Sequence, residues 1–264
     1  MKRVSAVLFV TMLAGQAWSQ EYNYRYESEA HSPLYKFSAV CSSGQTLYYG
    51  TSYGSYTAYI TRPDLYSGYR GYEKPEGNLI IPETVTYEGE TYIVTRINND
   101  AFEWCQELTS VTIPNSITEI GENAFFGCTG LASVTIKSEA SPKKAYLSFK
   151  KGNIRYRVIS KNEVSVDRDK SDSRYSGNIV IPSKVTSGNT FSVVWIAPNA
   201  FKASIDLTSV AIPNSITRIG EGAFESCIHL TAIYCQAKAK PSGWDDNWNP
   251  NKYKVVWGAV NKFK

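Results

Sequence analysis

The chain has 264 residues, 42% of them hydrophobic, with 28 Lys and Arg against 24 Asp and Glu and a net charge of +4. So small an imbalance argues against a nucleic-acid partner, which requires a concentrated positive surface. Only two histidines are present, and H-E-x-x-H, C-x-x-C, P-loop and dinucleotide strings are absent, so neither an enzyme nor a cofactor is expected.

Residues 1–19 carry Lys2 and Arg3, an apolar run from Val4 to Leu13, and Ala17-Trp18-Ser19 as a small-x-small cleavage site. That is the pattern of a secretory signal peptide, and the apolar run is shorter than the ~20 residues of a bilayer span. No cysteine sits at the cleavage site and no second long apolar stretch follows. The mature chain is expected to be exported, without a lipid anchor or a transmembrane segment.

From Gln20 to Tyr92 the sequence holds 14 of the 19 tyrosines. Leu47 to Ile60 alternates in places and is broken by Gly and Ser, the pattern of a β-hairpin. Within it, Gly50-Thr51-Ser52-Tyr53-Gly54 matches the G-x-S-x-G string of hydrolases. That string works only on a strand-to-helix elbow, and no helical pattern follows it here, so chance is the better account. A Gly-Asn-apolar-apolar-Ile-Pro strand comes next (Gly77 to Pro82), then an insertion between Val85 and Ile97 that carries Tyr87-Glu88-Gly89-Glu90-Thr91-Tyr92 and reads as a second, projecting hairpin.

Leu108 to Ile136 then reads LTSVTIPNSITEIGENAFFGCTGLASVTI, and it returns as Leu207 to Ile233, LTSVAIPNSITRIGEGAFESCIHLTAI. A shorter period lies inside each copy: Leu108-Thr109-Ser110-Val111 recurs as Leu131-Ala132-Ser133-Val134, 23 residues on. A period in the low twenties marks a solenoid of leucine-rich-repeat size. The inward positions of one turn are Leu108, Val111, Ile113, Ile117, Ile120, Ala124 and Phe125. So few side chains cannot offset the backbone entropy of one isolated turn, so each turn requires neighbours on both faces.

Lys137 to Ala145, polar and holding Pro142, separates the two copies, giving expected units of 20–137 and 138–264 after the signal. The second half repeats the plan of the first. A hairpin runs from Asn153 to Val166, a Gly-Asn strand from Gly177 to Pro182, and an insertion lies between Val185 and Ile196. Each upstream hairpin reads as a cap that covers the open end of its half, since bare edge strands invite aggregation. At the carboxyl end Trp244, Trp248 and Trp257 supply apolar area for a terminal cap. Asp245-Asp246-Asn247 lacks the spacing and distal Glu of a calcium loop, so no metal site is expected.

Charge is unevenly spread. Residues 20–136 balance to −8 and residues 137–264 to +10. Drift between duplicated copies accounts for this; so does an anionic partner for the basic half, or charge-driven head-to-tail self-association. Of the five cysteines, Cys105, Cys128 and Cys227 share one repeat position and are expected as buried thiols, pointing the same way like rungs. Cys41 and Cys235 fall outside that position and remain open.

The pattern L-x-S-V-x-I-P-x-S-[IV]-T-x-I-G-x-x-A-F-x-x-C resembles the BspA-type leucine-rich repeat of bacterial surface proteins, from about Asn78 onward. The resemblance implies a right-handed solenoid, a bacterial extracytoplasmic location (secreted or at the cell surface) and protein-binding or adhesive roles. The expected fold is therefore a leucine-rich-repeat solenoid, β-dominated with short helical turns, in two duplicated halves each opened by a β-hairpin cap.

A binding face would come from residues between the core positions. One outward ladder includes Thr112, Thr135 and Tyr234; a second includes Arg96, Thr118, Glu119, Trp195 and Arg218. Ser and Thr suit solvated strands in any case, but an aromatic beside arginines has the composition of an interaction hot spot. The favoured function is binding another protein, such as a host matrix component or a neighbouring cell's surface protein. Glycan binding through exposed Tyr and Trp, or a structural envelope role without a specific ligand, are the alternatives.

Overall fold

In the computed structural model, Leu108–Ile113 is a strand in which Leu108, Val111 and Ile113 are buried and Thr109, Ser110 and Thr112 are not. Strict alternation would place two inward residues two apart, yet Leu108 and Val111 are three apart. Pairing explains it: Gly77 aligns with Leu108 but Asn78 with Ser110, so Thr109 is an extra residue in a bulge. The same slip recurs between Gly177/Leu207 and Asn178/Ser209. The structure describes residues 35–263 apart from 53, 66, 141, 143–144 and 169–173. The signal sequence assigned to residues 1–19 therefore lies outside the described residues, as does part of the 137–145 boundary.

Among the described residues there are nineteen strands. Those of the first part are β1 (Phe37–Val40), β2 (Thr46–Thr51), β3 (Thr57–Thr61), β4 (Gly77–Ile80), β5 (Thr84–Tyr87), β6 (Glu90–Ile97), β7 (Leu108–Ile113), β8 (Glu119–Ile120) and β9 (Ser133–Ile136). They form a sheet of order β1-β2-β3-β6-β5, with β8 against β6, and a parallel sheet β4-β7-β9. Then come β10 (Ser148–Lys151), β11 (Ile154–Ser160), β12 (Glu163–Val166), β13 (Gly177–Val180), β14 (Lys184–Ser187), β15 (Asn189–Ile196), β16 (Leu207–Ile212), β17 (Arg218–Ile219), β18 (Ala232–Cys235) and β19 (Val255–Trp257). Their order repeats the first: β10-β11-β12-β15-β14 with β17, and β13-β16-β18 with β19 added. The hairpins read from the sequence are β2/β3, β5/β6, β11/β12 and β14/β15. Each upstream hairpin gains an antiparallel strand before it, β1 or β10, and its last strand lies parallel to the insertion hairpin.

The fold is strand-dominated and of leucine-rich-repeat type, but the short helical turns expected at the corners are not seen. Among the described residues the single helical element is the 3-10 turn Val260–Phe263. The corner backbone shows why. Asp100, Trp104 and Asn123 take left-handed φ values of 56°, 58° and 55°, which no α-helix continues through. Alternate amides also leave the turn altogether: Asp100, Phe102 and Trp104 donate to the carbonyls of Glu122, Ala124 and Phe126 on the next coil, at 3.0, 2.8 and 2.7 Å. Only the intervening Ala101, Glu103 and Cys105 close i→i+3 bonds within their own coil. Asn199, Phe201 and Ala203 repeat the arrangement against Glu221, Ala223 and Glu225. A helix would require all these donors for itself.

All seven expected inward residues of the central turn are buried, and the phenylalanines stack coil on coil: Phe102 on Phe125 and Phe201 on Phe224, each at 5.1 Å. Trp244 and Trp248 are buried beyond the last coil, with Trp248 edge-on to Phe224 at 5.7 Å. The two parts bond directly. The turn of the second insertion hairpin meets the β9 edge: Gly188 bridges Val134, Ser187 Oγ donates to the Ala132 carbonyl at 2.9 Å, and the Asn189 amide both accepts from Ile136 N–H and donates to its carbonyl, each at 3.0 Å.

Candidate functional site

The eight residues expected on a binding face separate onto different sheets. Because Ile97, Ile120, Ile196 and Ile219 point inward, the residues before them point outward by the period of a strand. Arg96 is paired in register with Glu119 and Trp195 with Arg218. Arg96 Nε lies 2.9 Å from Glu119 Oε2, with both side chains about half exposed at 49% and 60%, so solvent screening leaves the pair little energy. The guanidinium carbon of Arg218 sits 4.9 Å from the centroid of the half-buried Trp195 ring, a cation–π pair. Thr118 is committed to the fold, its hydroxyl donating to the Thr95 carbonyl of the preceding coil at 3.1 Å. Thr112 and Thr135 are neighbours across β7 and β9, and Tyr234, on β18, receives Lys262 Nζ at 4.7 Å from its ring centroid. Thr135 is half-buried and lies directly against Gly188, so the second insertion hairpin covers it.

Arg96 and Glu119 also rim a groove of about 490 Å³, lined further by Tyr59, Arg62, Asn98 and Asp100. Arg62 is shared between Asp100 at 3.8 Å and Glu103 at 3.4 Å, so cations and carboxylates alternate along the rim. Tyr59 lies over Gly50, where any Cβ would run into its ring. Gly50 is therefore a packing glycine on β2. The G-x-S-x-G string leads into the turn of a hairpin, with Ser52 N–H donating to the Thr57 carbonyl at 3.2 Å, and supplies no nucleophile elbow.

The sequence reading passed over a second cavity, of about 210 Å³, which draws Trp104, Phe126 and Tyr146 together with Arg155, Arg157 and Arg168. The signal was available: Trp104 and Phe126 occupy the two variable positions of A-F-x-x-C, where the other copies carry Glu103, Gly127, Lys202, Ala203, Glu225 and Ser226. Arg155, Arg157 and Tyr146 have no counterpart in the A-F-x-x-C pattern and gave no such pointer.

Among the described residues no three His, Cys, Asp or Glu side chains converge, and His229 is exposed. All five cysteines are free and buried, Cys41 and Cys235 included. Cys128 and Cys227 donate to the Phe102 and Phe201 carbonyls of the preceding coil at 3.1 and 3.0 Å. Burial pushes Cys105 and Cys235 up to about 12 and Cys227 up to about 11, so these thiols stay protonated and unreactive at neutral pH. No helix among the described residues is long and apolar enough to cross a membrane.

The chain is similar to several solved structures. A leucine-rich repeat protein from Bacteroides ovatus ATCC 8483 is 23% identical over 74% of this chain and 47% of its own, with a TM-score of 0.41. A leucine rich cell surface protein from Faecalibacterium prausnitzii A2-165 is 17% identical over 82% of this chain and 86% of its own, with a TM-score of 0.30. The leucine rich repeat protein of T. pallidum is 24% identical over 71% of this chain and 68% of its own, with a TM-score of 0.28. No curated protein matches. Six copies of the BspA type leucine rich repeat region are recognised across residues 95–193 and 194–243, more than half of the sequence, and the chain belongs to that family.

Proposed function

We propose that this is an exported, non-enzymatic protein-binding module of the bacterial surface, built as a solenoid of two duplicated halves (20–137 and 138–264), each opened by a hairpin cap. The repeated strand order and the shared bulge at Thr109 and Thr208 support the duplication. Family membership supports an interaction or adhesion role at the cell surface. The observation that carries the binding reading is the outward pair Arg96–Glu119 beside an open polar groove, with the Arg218–Trp195 pair as its equivalent on the second six-stranded sheet. Flat aromatic and guanidinium surface on a rigid strand loses little entropy when a partner covers it, which is why Trp and Arg dominate protein hot spots.

The test is a pull-down of the mature chain against a panel of extracellular matrix and cell-surface proteins, followed by surface plasmon resonance on any hit. Trp195→Ala and Arg96→Ala are expected to weaken the captured complex by about tenfold or more. A panel without any binder, or a complex indifferent to both substitutions, would reject the reading.

A further inference from the structure

The parallel sheet β4-β7-β9 has both outer edges closed by side chains, with the same chemistry at each. On β4, Gly77 and Ile81 donate to the carbonyls of Glu107 and Thr112, so the residues between and beside them turn their N–H and C=O groups away from β7. The loop of residues 41–45 meets those outward groups. Gln45 Nε2 donates to the Glu76 and Asn78 carbonyls at 2.7 and 2.9 Å, and Ser43 Oγ accepts the Ile80 N–H at 3.0 Å. Gln45 and Ser43 thus stand where a further strand would pair. At the far edge the Asn189 amide does the same for Ile136.

The sheet that begins with β13 starts differently. Gly177 and Ile181 donate to the Asp206 and Ala211 carbonyls, so Ser176, Asn178 and Val180 hold the outward positions that Glu76, Asn78 and Ile80 hold on β4. Only Gly152-Asn153 joins β10 to β11, where the whole of 41–45 joins β1 to β2, and that shorter turn has no counterpart of Ser43 and Gln45. Among the described residues nothing bonds the Ser176 or Asn178 carbonyl or the Val180 N–H, and Val180 is 52% exposed. In place of the missing loop a groove of about 370 Å³ runs along the edge. Its buried lining includes Ile154, Tyr156 and Val185, and Lys151 is exposed beside it, without a carboxylate partner among the described residues.

An unpaired sheet edge beside an apolar groove is what an extended peptide completes: its backbone supplies donors and acceptors in alternation, and every second side chain enters the groove. We infer that the β13 edge binds an extended peptide segment of a partner protein as an added strand, its apolar residues alternating over Ile154 and Val185 and a carboxylate facing Lys151. The match to β4 commits the edge to a peptide, because there the same three backbone groups are met by an amide and a hydroxyl of the chain itself. The edge shares no lining residue with the groove beside Arg96, so it stands or falls independently of the binding surface proposed there.

The test is selection of a phage-displayed library of random dodecapeptides on the full mature chain, followed by isothermal titration calorimetry of the selected peptides and backbone amide exchange by NMR. In the free chain the Val180 amide should exchange faster than the Ile80 amide, which Ser43 holds. A selected peptide should alternate apolar residues, carry Asp or Glu, and protect the Val180 amide when bound. Val180→Pro removes the outward N–H at an edge position, where a strand tolerates proline, and should weaken binding about tenfold; Lys151→Glu should weaken it several-fold. If Val180→Pro moves the melting temperature, Lys151→Glu and the Val180 exchange rate decide. No binder from the library, or binders that leave Val180 exchange unchanged, overturns the proposal. So does Val180 protection that grows with protein concentration in the absence of peptide, since a second copy of the chain would then hold the edge.

Discussion

Asn189 is the residue on which the contact between the second insertion hairpin and strand β9 can be tested. Its side-chain amide sits at the tip of the second insertion hairpin and satisfies both backbone groups of Ile136 at 3.0 Å, with a further bond from Nδ2 to the Lys161 carbonyl at 3.4 Å. In effect one side chain completes the edge of β9 where a further strand would otherwise pair. Asn189→Ala removes both partners from Ile136, which is 1% exposed. A lost hydrogen bond costs about 1 kcal/mol net, and about 1–3 kcal/mol where the group left behind stays dry. Two such groups give about 2–6 kcal/mol, and the half-buried position of Asn189 lets water in and favours the lower end. With a urea m-value of about 2 kcal/mol/M, the midpoint falls by roughly 1 M. Glu90 stands at the matching place in the first insertion hairpin, where it is exposed, and Glu90→Ala is the control, expected within about 0.5 kcal/mol of the parent. The assay is equilibrium urea unfolding followed by far-UV circular dichroism and tryptophan fluorescence. Equal, small shifts for both variants would show that the Asn189 bonds do not hold the hairpin to β9.

Three further outcomes follow from the same geometry. Gly188 has φ +72° and its missing Cβ would strike the Val134 backbone, whereas Gly89, at φ +83°, faces open space. Gly188→Ala should therefore cost clearly more than the ~1 kcal/mol expected of Gly89→Ala, and equal melting temperatures would contradict the close approach. Phe201, fully buried between Tyr175 at 4.6 Å and Phe224 at 5.1 Å, should lose about 3–5 kcal/mol on change to Ala, read from the urea midpoint. Alkaline pH should destabilise the fold. Burial raises Cys105 and Cys235 to about 12 and Cys227 to about 11 from an ordinary 9.0, so above pH 9 the unfolded chain binds fewer protons than the folded one. Stability from these thiols is whole below pH 9 and falls above it by about 1.4 kcal/mol per pH unit per thiol until the folded values are reached. Urea midpoints measured with reductant from pH 7 to 11 check this; a flat profile to pH 11 would refute it.

Much of the fold was legible because its information is local. The inward positions Leu108, Val111, Ile113, Ile117 and Ile120 follow from apolar residues that return with a 23-residue period, and both hairpin insertions were visible as extra residues within that period. No helical turn forms at the corner between Asp100 and Cys105, although short helical turns were expected of the repeat. What prevents one is the neighbouring coil, which takes alternate amides. The same distinction divides the candidate sites. Arg96 with Glu119 and Trp195 with Arg218 are repeat equivalents, so their pairing could be counted off along the chain. The groove they border also needs Tyr59 and Arg62 from β3 and the loop after it, which no period relates to them.

By itself the sequence determined which side chains turn inward and that the coils must stack, because hydrophobic alternation and chain entropy act on each turn wherever it lies. It also led to the expectation that Cys105, Cys128 and Cys227 are buried thiols, since equivalent rungs point alike, while Cys41 and Cys235 were settled as free only by the structure. Only the tertiary structure decided how the coils close on one another. The left-handed corners, the Asn189 clasp on Ile136 and the meeting of Trp104 with Arg155 and Arg157 each join groups about 50 residues apart or satisfy donors on another coil. A backbone donor takes whichever acceptor the finished stack brings within about 3 Å, and that choice does not exist until the neighbouring coil is in place.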